Sequence, residues 1–143
     1  MTGSRQLDDL AALSDASYRA RLTAMRDIVI REAGLRRDLA ALSDRRRETQ
    51  HLSESQLSAP RRIGADIQWQ GWLDRRQRDL QTELAQTLAR KADAFTRLSR
   101  AHGRMVASRD LAARRQGEAA NARASRQAAA LAELAILVLQ GDG

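Results

Sequence analysis

From Met25 onward, one series of positions recurs at alternating steps of three and four: Met25, Ile28, Glu32, Leu35, Leu39, Leu42, Arg46 and Thr49. Upstream, Leu7, Leu10, Leu13, Tyr18 and Leu22 keep a helical spacing. A second series runs through Leu73, Leu80, Leu84, Thr87, Lys91, Ala94, Leu98, Ala101, Met105, Ser108 and Ala112, flanked by Leu88, Phe95 and His102. Steps of three and four put side chains on one stripe of an α-helix, and a stripe this narrow is a coiled-coil seam. No stretch alternates with the period of two that a strand requires. The pattern predicts two long helices.

Pro60 separates the two series. Proline inside a helix removes a hydrogen bond and clashes with the preceding turn, but it suits the first helical turn. The expected fold is therefore all-α: a long antiparallel two-helix coiled-coil hairpin. Helix 1 is expected over about 5–55, the turn over about 56–60 and helix 2 over about 60–139, forming a single hairpin across 1–143. A turn centred near 56–57 pairs residues whose numbers add to about 113. That register sets Leu42 beside Gly71 and Trp72, Leu35 near Leu80, Met25 near Leu88 and Tyr18 near Phe95. Helix 1 then ends opposite about residue 107, leaving a C-terminal helical overhang of roughly 30 residues, about 45 Å at 1.5 Å per residue. The overhang is rich in alanine and closes on Leu131, Leu134, Ile136, Leu137, Val138 and Leu139. A contiguous apolar end on an unpaired helix is expected to find a partner.

Composition supports elongated helices over a thick core. Hydrophobic residues make up 43% but aromatics only 3%, and 30% of the chain is charged. There is no cysteine, which excludes disulfides and thiolate metal sites. The net charge of +7 is concentrated in residues 58–109, which carry 11 basic and 5 acidic side chains. The opening residues lack the apolar stretch of a secretory signal, and no run reaches the roughly 20 residues of a membrane span. A cytoplasmic, non-membrane-spanning protein is expected.

The chemistry-bearing residues gather near the predicted tip. Trp69 and Trp72 stand three residues apart on one helical face, among Arg45, Arg46, Arg47, Arg61, Arg62, Arg75, Arg76 and Arg78. Tryptophan and arginine are frequent interface anchors. His51 and His102 lack neighbours at metal-ligand spacing, and no glycine-rich phosphate loop is present. No catalytic, cofactor-binding or metal-binding residues are expected, and the chain reads as a non-enzyme. Two readings follow from these residues alone. One is a coiled-coil scaffold that self-associates through the apolar overhang. The other is a nucleic-acid binder that uses the basic tip, with the tryptophans as stacking platforms.

The stretch from Asp66 to Leu80, DIQWQGWLDRRQRDL, resembles the aromatic, glutamine-containing start of the second helix in the FliJ/YscO family. These are the small coiled-coil stalk proteins of flagellar and type III secretion export. Length, two helices and a C-terminal overhang are similar as well. The resemblance implies a coupling role between a hexameric export ATPase ring and the cytoplasmic domain of a membrane export gate, with export chaperones as further partners. It implies that Trp69, Trp72 and Arg76, with Leu73, Arg45, Arg46, Arg61 and Arg62 around them, meet the gate. It implies that Leu7, Leu10, Leu131, Leu134, Leu137 and Val138 face the ATPase. The chain departs from the family in its abundance of Arg and Ala and in Gly71 between the tryptophans.

Overall fold

The computed structural model describes residues 2–55 and 60–141, with side chains described outside 52–63. Helix α1 spans Thr2–Ser55 and helix α2 spans Pro60–Gly141. The chain is an all-α helical hairpin in which these two helices pack antiparallel. Alanine, leucine, arginine and glutamine keep both segments helical because they lose little side-chain freedom in a helix. The glycines of the two helices are accepted without strain, since no described residue takes a positive φ. Proline opens α2, where its missing N–H costs nothing. The remainder of the expected turn, residues 56–59, lies outside the described residues.

Two packing units divide the hairpin. In the unit Ala20–Leu98, the buried and half-buried positions of α1 are Leu22, Met25, Ile28, Glu32, Leu35, Leu39, Leu42, Arg46 and Thr49, with Gly34 beside them. Those of α2 include Leu73, Gln77, Leu80, Leu84, Thr87, Lys91, Ala94 and Leu98. These are the three-and-four seams. Leu35, Leu42, Leu73 and Leu80 form the core, with Leu39 and Leu84 packed on it. In the other unit, Met1–Arg19 with Ser99–Gly143, the buried residues are Ala101, Met105, Ser108 and Ala112. Tyr18 of α1 packs against His102, the ring centroids 5.4 Å apart.

The register differs from the one expected. Within Ala20–Leu98, Arg46 meets Asp74, Lys91 meets Glu32 and Trp69 meets Thr49; within the other unit, Arg109 meets Asp15 and Gln116 meets Asp8. The numbers of these partners add to between 118 and 124, not to 113. Two causes combine. The helix ends at Ser55 and Pro60 put the midpoint of the turn one residue later than assumed. Helical side chains also tilt toward their own N-terminus, so contacting residues each lie further along the chain than the level at which they touch. Seam positions come into line again only after a slip of one heptad, and the observed pairs all lie five or more above the expected sum. Tyr18 therefore lies against His102, and Phe95 and Leu88 are exposed.

The polar seam members fit this register and not its neighbours. Glu32 is buried, yet both carboxylate oxygens are used: Lys91 Nζ donates to Oε2 at 2.6 Å, and Arg36 donates to Oε1 at 2.9–3.0 Å. A slip of seven would set Glu32 against Leu84 and Lys91 against Met25, leaving the buried carboxylate only the Arg36 of its own helix. Thr87 and Ser108 satisfy their hydroxyls on the carbonyls of Glu83 and Met105. No buried side-chain polar atom among the described residues lacks a partner.

Candidate partner-binding surfaces

The tryptophans lie early in α2, within the unit Ala20–Leu98. Their i, i+3 spacing brings the rings together as a stack, with centroids 5.1 Å apart and planes 13° from parallel. Neither plugs the core. Trp69 is 38% exposed and Trp72 41% exposed, whereas Leu73 beside them is 1% exposed. Trp69 is held in place by α1, its Nε1–H donating to Thr49 Oγ1 at 3.2 Å. Thr49 in turn donates to the Arg45 carbonyl at 2.9 Å. The pair presents a flat aromatic surface whose orientation is fixed by a hydrogen bond across the two helices.

The arginines around it play different parts. Arg46 is half-buried and paired with Asp74 across the helices. It lines a shallow cleft of about 220 Å³ with Thr49, Gln70 and Leu73. Arg45, Arg75, Arg76 and Arg78 are exposed. Arg61 and Arg62 fall outside the described side chains. Leu73, expected on the partner-facing surface, is instead taken into the core, because the seam and not the aromatic face decides its side of the helix. Trp72 stacks on Trp69.

The second surface belongs to the other unit. Every residue of α2 from Ala113 to Gly141 is exposed, whereas Ala112 is buried. Leu131, Leu134, Ile136, Leu137, Val138 and Leu139 are 55–78% exposed. The first turns of α1 reach further along α2 than expected: Gly3 lies beside Arg115, and Ser4, Arg5 and Asp8 face Arg115 to Arg126 across an open groove of about 700 Å³. The overhang is thus roughly 20 residues, about 30 Å, not 30 residues. Leu7 is half-buried and Leu10 exposed.

No protein-family model, curated protein or solved structure matches this chain. What its surfaces bind must be argued from their own chemistry. Among the described residues, no helix is long and apolar enough to cross a membrane, and no group of His, Asp and Glu has the geometry to hold a metal ion. Glu32 is the carboxylate whose acidity the structure visibly changes. Its hydrogen bonds from Lys91, and then from Arg36, hold its pKa below the ordinary 4.5. That effect belongs to helix pairing and has no chemical substrate in view. The aromatic stack was legible as a three-residue spacing. The Thr49 contact was not, since it depends on the register.

Proposed function

We propose that this protein is a non-enzymatic coiled-coil coupling element of the FliJ/YscO type, joining an export ATPase to a membrane export gate. One observation carries the reading: α2 continues past the pairing with α1 as an exposed helix whose last two turns are dense in large apolar side chains. Such a helix is incomplete without a protein around it. The exposed Trp69–Trp72 stack supplies a distinct surface, and the DIQWQGWLDRRQRDL resemblance suggests the gate as its partner. The role is mechanical and allosteric. A helix seated against one subunit of a ring stabilises that subunit's conformation over the others, so binding biases the hydrolytic cycle.

The test is the ATP hydrolysis rate of a hexameric export ATPase from the same organism, measured with and without this protein. Stimulation is expected, and Leu134→Glu with Leu137→Glu should abolish it. An unchanged rate and an unchanged oligomeric state of the ATPase would refute the reading.

A further inference from the structure

Along most of the hairpin, arginines that face the other helix find an acid there. Arg31 meets Glu83, Arg46 meets Asp74 and Arg109 meets Asp15. The pattern changes at the first turns of α1. Arg5 of α1 and Arg115, Arg123 and Arg126 of α2 line one open groove of about 700 Å³, in which Asp8 and Glu118 are the carboxylates. Both acids are engaged. Asp8 accepts a hydrogen bond from Gln116 at 3.4 Å, and Glu118 stands 3.9 Å from Arg115. Arg123 and Arg126 turn to their own helix, each donating Nε to the carbonyl four residues back, Ala119 and Ala122, at 3.3–3.4 Å. That uses one donor of each guanidinium and leaves the rest of the fork. Among the described residues, no carboxylate pairs with Arg5, Arg123 or Arg126.

Four arginines against two occupied acids make the groove a place for negative charge. A guanidinium fork fits carboxylate and phosphate alike, so the remaining lining must decide between them. It favours carboxylate. Sites for single-stranded nucleic acid pair a basic groove with aromatic side chains on which bases stack, and this groove is lined by Ser4, Ala119 and Ala122 besides its charged residues. The Trp69–Trp72 stack belongs to the other packing unit. Asp8 and Glu118 would also oppose an unbroken run of phosphates. A peptide can set N–H or hydroxyl donors against those two acids and its own carboxylates against the arginines. Ala119 and Ala122 leave room for its backbone to come close. Along α2 the arginines span 115–126, about 16 Å, the length of three helical turns.

We propose that this groove is a docking site for an acidic peptide segment of a partner protein. Arg5 receives its carboxylates from one wall, and Arg123 and Arg126 receive them from the other. The segment thus bridges the two helices, and its binding favours the paired state of the first turns of α1. The proposal needs only this groove and does not rest on the export reading. Its test and the ATPase test alter different residues, so one can fail without the other.

The probe is a fluorescein-labelled peptide of glutamate and alanine, about 12 residues long to match the groove. Its binding to the full-length protein is followed by fluorescence anisotropy. Saturable binding that weakens with added salt is expected, with none for the same peptide carrying glutamine in place of glutamate. Arg123→Glu with Arg126→Glu should weaken it by about tenfold or more, and Arg5→Glu alone by about threefold or more. Arg100→Glu with Arg104→Glu makes the same change in net charge as the first pair, at exposed positions outside the groove. This control should weaken binding by about twofold or less. Circular dichroism should show unchanged helix content in all three variants. Absence of binding overturns the proposal. An equal loss in the control variant overturns it by reducing the effect to net charge. No response to Arg5→Glu overturns the two-walled site. Tighter binding of a single-stranded oligonucleotide of the same length than of the acidic peptide overturns the choice of carboxylate over phosphate.

Discussion

The register of the hairpin is open to a direct measurement, because the native chain has no cysteine to interfere. Two double variants separate the observed register from its nearest alternative. Arg46→Cys with Asp74→Cys joins residues that form an ion pair in the structure. Arg46→Cys with Ile67→Cys joins the residues that a one-heptad slip would bring together. Seven residues of helix amount to about 10.5 Å, well beyond the tolerance of a disulfide or a short bismaleimide. The first pair should therefore cross-link quickly and the second slowly or not at all, read as a mobility shift on denaturing gels. The determinant can then be removed. With Glu32→Leu and Lys91→Leu the charged pair leaves the seam, and slipped pairing no longer costs a cross-helix ion pair. In that background the second pair should gain cross-linking at the expense of the first. Efficient cross-linking of residues 46 and 67 in the unaltered seam would refute the register. Undiminished selectivity in the leucine background would show that the turn, not the Glu32–Lys91 pair, fixes it.

Four further outcomes are expected. Leu73→Ala and Leu35→Ala, each at a position 1% exposed, should cost about 2–4 kcal/mol by denaturant unfolding, and Leu88→Ala on the exposed face less than about 1 kcal/mol. Gly103→Ala and Gly117→Ala should each stabilise the chain by about 0.5–1 kcal/mol, since an added Cβ meets open space and neither residue has a positive φ. The lowered pKa of Glu32 means that the folded state holds its charged form more tightly than the unfolded chain does. This stability is present above pH 4.5 and lost as the pH falls through the lowered folded value, so acid unfolding should carry a component that Glu32→Gln removes. On the proposed export reading, Trp69→Ala with Trp72→Ala should abolish capture of the export-gate cytoplasmic domain while leaving helix content, followed by circular dichroism, unchanged.

The fold was legible because a hairpin of two helices needs little more than two seams and a breaker. Pro60 and the three-and-four spacing supply both, and the buried positions fall on the predicted series down to Glu32, Thr87 and Ser108. The register was not legible, and the reason is general. A heptad pattern matches itself when slid by seven, so apolar spacing alone leaves several alignments with equally buried leucines. Only the polar seam residues distinguish them, and their meaning appears once a partner is assigned. The same limit applied to the surfaces. Spacing could stack Trp69 on Trp72 but could not show that Thr49 would hold the stack, nor that Leu73 would turn away from it. A shift in register also changes how much of α2 is left uncovered. Bringing Gly3 to Arg115 shortens the free helix, with Ser4, Arg5 and Asp8 still lining the groove beside Ala119 and Ala122.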